Sequence, residues 1–238
     1  MDSHTPVVVQ LQAAGKTYHQ AGVAVTALQP TTVNIEAGAF VCVSGPSGSG
    51  KSTLLNLMGA MDQPTAGEVL IGNVATSGMS PRQRALLRRD RIGFVFQAHN
   101  LISVLSAAEN VEYPLILKGV QAAERRRLVA NALAAVGIAE LRERRPAEMS
   151  GGQRQRVAVA RAIVHDPLLV LADEPTASLD SATGRALMAM LADLNRETGM
   201  TFVFSSHDPE VIGCARRRIV LRDGRIVEVT DRAGEGPA

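Results

Sequence analysis

Residues 40–52 read Phe-Val-Cys-Val-Ser-Gly-Pro-Ser-Gly-Ser-Gly-Lys-Ser. The apolar run at 40–44 predicts a short buried strand, and a glycine-rich loop follows it. Beyond the loop, residues 52–60 place leucines and a methionine at helical spacing. The loop itself, residues 45–52, satisfies the pattern G-x-x-x-x-G-K-[ST] between that strand and that helix. This context favours a phosphate-binding loop over an ordinary glycine-rich turn, because successive backbone N–H groups can converge on an anion where the helix begins.

Each residue type in this loop suits a polyphosphate. The glycines let the backbone curl, Lys51 would contact the β and γ phosphates, and the Ser52 hydroxyl would ligate Mg²⁺. The loop by itself predicts a nucleotide phosphate and does not distinguish a kinase, a GTPase or a motor. The predicted phosphate-loop residues are Gly45, Pro46, Ser47, Gly48, Ser49, Gly50, Lys51, Ser52 and Thr53.

The rest of the chain alternates between strand and helix patterns, except in its middle. Residues 98–165 show helical spacing and no convincing strand, so we predict an all-helical insertion there. Two alternating runs at 219–229 flank Asp223-Gly224, a dipeptide that predicts a type I′ hairpin, and residues 230–238 read as a solvated tail. Strands are predicted at 7–11, 67–73, 92–96, 168–172 and 201–205, and helices at 82–90, 107–117, 122–136, 153–164 and 183–198.

Two adjacent acids follow the apolar run 168–172. Ligands of an open parallel sheet gather at the carboxyl ends of its strands. Asp173 is suited to hold Mg²⁺, usually through water, and Glu174 is suited to polarise a water for in-line attack on the γ-phosphorus. Two acids at this place are equally compatible with a solvated strand end, but their pairing with the phosphate loop favours the catalytic interpretation.

A second anion-binding helix start is predicted at residues 149–153, which read Met-Ser-Gly-Gly-Gln. Ser150 is a suitable N-cap, and Gly151 and Gly152 would expose N–H groups at the positive end of a helix. A plain cap explains the serine but not two glycines in a first turn, where each costs about 1 kcal/mol against alanine. The segment resembles the LSGGQ signature of the ATP-binding cassette (ABC) family, with Met149 in place of leucine.

Other segments are similar to motifs of the same family in order and spacing. The resemblance implies that Gln97 is the Q-loop glutamine, which senses Mg²⁺ and the γ-phosphate, and that residues 178–180 form the D-loop. His207 resembles the switch histidine that contacts the γ-phosphate, and Tyr18 resembles the aromatic residue that stacks on adenine, although it could equally fill core space near a predicted hairpin. The predicted site therefore comprises catalytic Glu174 and His207; ATP-binding Tyr18, the phosphate loop, Gln97, Ser150, Gly151, Gly152, Gln153 and Asp180; and Mg²⁺-binding Ser52, Gln97 and Asp173.

The resemblance covers residues 7–229 and implies an α/β fold. It implies a P-loop NTPase (RecA-like) core with an N-terminal antiparallel β region and an inserted α-helical subdomain. The core would comprise residues 1–97 and 166–229, the helical subdomain residues 98–165, and a flexible tail residues 230–238. We expect residues 1–238 to form a single nucleotide-binding domain.

The same resemblance implies an ATPase that works with partners. In the family, the phosphate loop of one subunit and the signature helix of another enclose one ATP, so we expect a homodimer on ATP binding. A separate membrane permease subunit would dock near residues 98–117. Residues 109–111, 114–115 and 171–176 look most similar to the LolD/MacB/FtsE-like branch, which implies lipoprotein release or export of drugs, peptides or lipids. The alternative is an ATP-driven regulatory switch of FtsE type, acting on cell division or envelope enzymes without transport.

The composition excludes several other classes of function. The net charge is only +2 and aromatic residues make up 3% of the chain, so we expect no nucleic-acid partner. Two cysteines far apart in the sequence favour a reducing compartment. No apolar run reaches the length of a membrane span, and the N-terminus lacks the pattern of a secretory leader. Given the membrane partner that the resemblance implies, we expect the protein at the cytoplasmic face of the inner cell membrane, peripheral and held there through that partner.

Overall fold

Strands and helices alternate along most of the chain in the computed structural model, which describes residues 5–20 and 22–232. In chain order the elements are β1 (Val7–Gln20), β2 (Val23–Glu36), β3 (Phe40–Ser44), α1 (Lys51–Met58), β4 (Ala66–Ile71), β5 (Val74–Ala75), α2 (Pro81–Arg91), β6 (Ile92–Val95), α3 (Ala107–Leu117), α4 (Ala122–Ala135), α5 (Gly151–Ile163), β7 (Leu169–Asp173), α6 (Ser181–Thr198), β8 (Phe202–Ser206), α7 (Pro209–Gly213), β9 (Arg217–Arg222) and β10 (Arg225–Asp231).

The central sheet of the described residues has six strands in the order β10-β9-β3-β8-β7-β6. Neighbours from β9 to β6 pair in parallel, and only the edge strand β10 pairs antiparallel to its neighbour. The carboxyl ends of β3, β7, β8 and β6 therefore lie along one edge of the sheet. This edge carries the phosphate loop, the acid pair, His207 and the segment of Gln97, as the sequence predicts.

Alternate residues of the central strands face two different apolar layers. Phe40 and Cys42 of β3 pack toward α5 and α6, and the rings of Phe40 and Phe204 lie 5.0 Å apart between centroids. Val41 and Val43 face α1 and the second sheet instead. Burial on both faces explains why β3 is a continuous apolar run. It also raises the pKa of the Cys42 thiol to about 12, so that this thiol stays protonated.

The N-terminal antiparallel region is a second sheet in the order β2-β1-β4-β5. The sequence predicts strands at 7–11 and 67–73 but misses β2, and it also misses most of β1. Strand β2 escapes detection because its first residues are exposed and because Pro30 interrupts the run, which argues against a strand in a pattern-based prediction. Its second half alternates between buried and exposed residues, as a strand on a core does.

The helices between β6 and β7 lie where the periodicity predicts them. Within residues 98–165, all of which the structure describes, α3, α4 and α5 pack against one another and no strand forms. Ser106 caps α3 through a reciprocal bond pattern with Glu109, which fixes where that helix begins. The α/β core with its helical insertion is thus confirmed, while the domain boundaries of the sequence analysis stay a prediction.

Some predicted boundaries differ from the structure. Strand β6 ends at Val95, so Phe96 lies outside it, and β7 includes Asp173 as its last residue. The predicted tail at 230–238 is wrong for Thr230 and Asp231, because the hairpin ladder continues through both and pairs them with β9. Residues 233–238 and residues 1–4 lie outside the described part of the chain. Among the described residues, no helix has the length and apolar character needed to cross a membrane.

Candidate functional site

The phosphate loop follows β3 and requires glycine at two positions. Gly45 has φ +148° and Gly50 has φ +102°, conformations that residues with a side chain rarely adopt. A Cβ on Gly45 would lie 2.2 Å from the Leu221 carbonyl oxygen, and one on Gly50 would lie 2.5 Å from the Ala27 carbonyl oxygen. Glycine at these two positions therefore lets the backbone curl and lets it pack closely against β2 and β9.

Helix α1 begins at Lys51 without a side-chain cap. Its first-turn N–H groups have no acceptor within the helix, so the positive end of the helix dipole opens toward the loop. Lys51 is only 9% exposed, and its Nζ donates to the carbonyl oxygens of Gly45 at 2.9 Å and Pro46 at 3.0 Å. Ser52 is exposed beside it. The loop thus brings one ammonium group close to the first N–H groups of α1.

A hairpin from the end of the fold supports this loop. Asp223 and Gly224 have φ +49° and +72°, as the predicted type I′ turn between β9 and β10 requires. The Gly224 N–H donates to the Ser49 carbonyl oxygen at 3.1 Å, and the Gly224 carbonyl oxygen accepts from the Gln29 N–H at 2.7 Å. The turn therefore connects β2 to the phosphate loop.

The acid pair lies at the carboxyl end of β7, next to the end of β8. Asp173 accepts a hydrogen bond from the Ser205 hydroxyl at 2.5 Å, and the Glu174 N–H donates to that same hydroxyl at 2.9 Å. His207 Nδ1 lies 3.0 Å from the Glu174 carboxylate oxygen Oε1. The Glu174 side chain is 18% exposed and the His207 side chain 69% exposed. The structure thus brings the predicted residues Asp173, Glu174 and His207 together and adds Ser205, which sequence reasoning missed.

The predicted N-cap of α5 is confirmed. The Ser150 hydroxyl accepts from the Gln153 N–H at 3.2 Å, and the Gln153 side chain accepts from the Ser150 N–H at 2.9 Å. Gln153 is therefore engaged in a capping box. Gly151 and Gly152 are partly exposed, and their nearest tertiary neighbours are Leu179 and Thr183 rather than the phosphate loop.

The two glycines of this helix differ in how tightly they are packed. A Cβ on Gly152 would lie 2.4 Å from Thr183 Cγ2, whereas one on Gly151 would lie 3.5 Å from Leu179 Cδ2, an ordinary contact. Alanine gains up to about 1 kcal/mol over glycine in a helix, and overpacking costs roughly 1–3 kcal/mol. We expect Gly151→Ala to keep or raise the free energy of unfolding and Gly152→Ala to lower it, as measured by urea denaturation.

A double variant controls this comparison. Thr183→Ser removes the obstructing methyl group, so Gly152→Ala with Thr183→Ser should recover most of the lost free energy. Equal free energies of unfolding for the two alanine variants would contradict the packing difference between Gly151 and Gly152.

Tyr18 is anchored through its hydroxyl. It donates to Asp62 Oδ2 at 2.9 Å, and Lys16 Nζ donates to Asp62 Oδ1 at 2.6 Å. Burial, and then Asp62, raise the pKa of Tyr18, while the neighbouring Thr53 side chain acts to lower it. Burial alone would raise the pKa of the Asp62 carboxyl, but the bonds from Lys16, the Gln63 backbone and Tyr18 lower that pKa. Lys16 Nζ lies 5.0 Å from the centroid of the Tyr18 ring, so a stacked base would have to use the other face.

Gln97 is exposed in a turn after β6. The next residues, His99 and Asn100, have φ +60° and +48°, and Arg161 of α5 donates to both of their carbonyl oxygens, at 2.8 and 2.6 Å. Burial lowers the pKa of Arg161, which sequence reasoning also missed. This arginine ties the segment after Gln97 to the helix that begins after Ser150.

Asp180 caps α6 and is fully exposed. Its carboxylate accepts from the Thr183 N–H at 3.0 Å, and bonding to the Thr183 side chain and then to its backbone lowers the pKa of Asp180. The structure thus gives this residue a helix-capping role within its own chain. A contact with ATP, which the sequence analysis expects, stays a prediction.

Comparisons with known proteins agree with this arrangement. A family model described as "ABC transporter" matches residues 28–177. The chain is 47% identical over 225 residues to the "Uncharacterized ABC transporter ATP-binding protein MJ0796" of Methanocaldococcus jannaschii, covering 92% of this chain and 95% of that protein. It is 43% identical over 223 residues to the "Macrolide export ATP-binding/permease protein MacB" of Hyphomonas neptunium, covering 94% of this chain but only 34% of that protein. The solved dimeric post-hydrolysis structure of MJ0796 bound to ADP and Pi matches with TM-score 0.86 and 43% identity, over 95% of this chain and 100% of the other.

Proposed function

Because the chain belongs to the ABC transporter family and is an ATP-binding ATPase of that type, we propose that it hydrolyses ATP in a head-to-tail homodimer that drives a separate membrane subunit. The proposal of a dimer depends on one observation, which concerns the start of α5. Helix α5 begins at Gly151 and Gly152, which are partly exposed, and the neighbours of these glycines are Leu179, just before α6, and Thr183 of α6 rather than the phosphate loop of the same chain. A second anion-binding helix start of this kind suits the ATP of another copy. The relative MJ0796, solved as a dimer with ADP and Pi, supports the same interpretation.

ATP would be held chiefly by the phosphate loop. The N–H groups of residues 45–53 and the Lys51 ammonium would surround its phosphates, and the exposed face of Tyr18 would receive adenine. From the opposite copy, Ser150, Gly151, Gly152 and Gln153 would close on the γ-phosphate. Two helix starts and one ammonium group around one triphosphate attract it strongly, and that attraction weakens when the γ-phosphate is lost.

The residues at the sheet edge fit a Mg²⁺ ion. Asp173 offers a carboxylate, Ser52 a hydroxyl and Gln97 an amide oxygen, and Mg²⁺ binds to oxygen donors such as one or two carboxylates with waters and phosphate oxygens. No group of three or more His, Cys, Asp and Glu ligands occurs in the described ranges 5–20 and 22–232, so the protein would supply only part of the coordination. When bound, the ion supplies positive charge that offsets the crowded phosphate oxygens.

Glu174 is proposed as the general base. As a water oxygen attacks the γ-phosphorus, the Glu174 carboxylate takes the proton of that water, the bond to the β-phosphate oxygen breaks, and ADP and phosphate form. His207 Nδ1 lies 3.0 Å from this carboxylate. We propose that His207 orients the carboxylate and would contact the γ-phosphate of bound ATP. The strained backbone of Glu174, at φ +48°, is of the kind that occurs at functional sites.

A groove beside the Q-loop segment suits the membrane partner. It has a volume of about 400 Å³, and Phe94, Phe96 and Leu117 line it together with Asn100, which is close to Gln97 in the chain. Tyr113 and Ile116 stand exposed nearby, at 43% and 48%. MacB, in which the matching region is about a third of the length, is named as a joined ATP-binding and permease protein. The groove would receive a segment of a permease subunit, with residues 98–117 as one wall. This docking would hold the protein peripherally at the cytoplasmic face of the inner membrane.

The transported substrate is proposed only as a class. We propose export of drugs, peptides or lipids, or lipoprotein release, through the membrane subunit. The relatives named as macrolide export ATP-binding/permease proteins support the export of drugs among these. The alternative is a regulatory switch of FtsE type that uses the same ATP-driven dimer without a substrate path. In both cases the chemistry of this chain is the same, and the partner determines the outcome.

A complementation experiment tests the composite site. Lys51→Ala removes the loop ammonium, and Gly151→Asp places a negative charge at the α5 start, where a side chain has room. Each variant alone should lose ATPase activity by roughly 100-fold or more. If the subunits of an equimolar mixture pair at random, half of the dimers are heterodimers, and each heterodimer has one of its two sites intact. The ATPase rate should therefore return to about a quarter of the parent rate.

A matched glycine provides the control for this mixture. A Cβ added at Gly213 would meet nothing within 4 Å, so an aspartate fits there without a clash, and Gly213→Asp should keep the parent rate by itself. A mixture of Lys51→Ala and Gly151→Asp that stays at the mean of its two components would overturn the head-to-tail dimer.

A further inference from the structure

We infer that Ser205 is a positioning residue, which holds Asp173 and Glu174 in the orientation that Mg²⁺ binding and water activation need. This inference rests on the proposed function of the two acids. It concerns a side chain that neither the predicted site nor the phosphate loop includes.

Ser205 is a polar residue in a fully buried strand. Every residue of β8 is buried, and Ser205 is 0% exposed. In the parallel register it lies opposite Asp173 on one side and Val43, just before the phosphate loop, on the other. A hydroxyl at such a place must be hydrogen-bonded, because water cannot satisfy it there.

The hydrogen bonds of Ser205 go to both acids. A serine hydroxyl has one proton to donate and lone pairs to accept with. The proton goes to Asp173 Oδ1 at 2.5 Å, so the lone pairs are left for the Glu174 N–H at 2.9 Å. One side chain thus fixes the carboxylate of the first acid and the main chain of the second.

The backbone of Glu174 needs this support. Its φ of +48° lies in the left-handed region, which is unfavourable for a residue with a side chain. In this conformation its N–H reaches back to Ser205 while its carboxylate reaches His207 at 3.0 Å. The hydroxyl of Ser205 therefore stabilises the bend at Glu174, immediately after Asp173, and fixes the Asp173 carboxylate at the same time.

The neighbouring Ser206 hydroxyl bonds to neither acid. It accepts from the Asp208 N–H at 3.1 Å, within the turn after β8. Thr201, just before the other end of β8, is 2% exposed, and its hydroxyl accepts from the Gly38 N–H at 3.0 Å. Thr201 thus resembles Ser205 in burial and in bonding to a backbone amide, but it touches neither acid.

The test compares Ser205→Ala with Ser205→Thr and with the control Thr201→Val, all in the full chain. In Ser205→Ala we expect kcat to fall by about ten- to a hundred-fold and the affinity for Mn²⁺ to fall several-fold. Mn²⁺ serves as a spectroscopic substitute for Mg²⁺, and its binding is measured by electron paramagnetic resonance with a non-hydrolysable ATP analogue. Nucleotide affinity measured in EDTA should stay at the parent value. Ser205→Thr keeps the hydroxyl and should restore most of kcat and Mn²⁺ affinity.

The outcomes separate this inference from its premise. If Ser205→Ala keeps the parent kcat and Mn²⁺ affinity, or loses both only to the extent that Thr201→Val does, Ser205 has a structural role alone and the inference is wrong. Asp173→Asn and Glu174→Gln are measured in parallel. If those two variants also keep the parent values, the proposed roles of the acids fail, and not merely the role of Ser205.

Discussion

Glu174→Gln is expected to bind ATP as tightly as the parent and to hydrolyse it at least about 100-fold more slowly, because an amide cannot accept the proton of the attacking water. With the γ-phosphate retained, the two helix starts stay closed around it, so the variant should accumulate as an ATP-bound dimer. The measurements are single-turnover hydrolysis of ATP and size-exclusion chromatography with light scattering, with and without ATP.

A surface glutamate provides the control. The Glu143 side chain is 80% exposed and pairs with Arg142 at 3.0 Å, so Glu143→Gln should hydrolyse ATP at the parent rate and show no ATP-dependent trapping. Turnover of Glu174→Gln at the parent rate would show that another group acts as the base. A variant that turns over slowly but stays monomeric with ATP would instead contradict the composite site.

Lys51→Ala is expected to weaken ATP binding by roughly 10- to 100-fold, because a hydrogen bond from a charged donor contributes about 1.5–3 kcal/mol. The effect should be large because Lys51 is buried at 9% exposure and its Nζ is held in the loop by the Gly45 and Pro46 carbonyl oxygens. Isothermal titration calorimetry with ATP measures the change.

The control for this variant is another lysine. Lys118 Nζ contacts the carbonyl oxygens of Asp90 and His165, each at 3.4 Å, and not the phosphate loop. Lys118→Ala should keep the parent affinity for ATP, and thermal unfolding should show that both variants remain folded. If Lys51→Ala also binds ATP as the parent does, the phosphates lie outside this loop.

The sequence was sufficient for the parts of the fold that depend on local chemistry. The run at 40–44 and the loop pattern predict a buried strand and a turn that only glycine can make, and the structure has both, with Gly45 and Gly50 at positive φ. The Ser150 cap and the Asp223-Gly224 turn are local in the same way. Such features need only neighbouring residues, so their signals survive in a single sequence.

Features made by distant residues could not be read in that way. The hydrogen bond between Ser205 and Asp173 joins strands that are adjacent only in the folded sheet. The available signal was a serine at the end of the predicted strand 201–205. Nothing local indicates that Asp62 anchors Tyr18 or that Arg161 holds the Q-loop segment. Those contacts depend on packing between separate elements, which pattern analysis does not resolve.

The hairpin beneath the phosphate loop has a consequence for how the protein is made. The loop comes early in the sequence, but the Leu221 carbonyl on which it packs and the Gly224 amide that binds Ser49 come much later, on β9 and in the turn that follows it. A growing chain therefore carries the loop sequence long before the loop has its support. The loop can therefore take its folded form, and hold ATP in it, only after β9 and the turn that follows it have been synthesised.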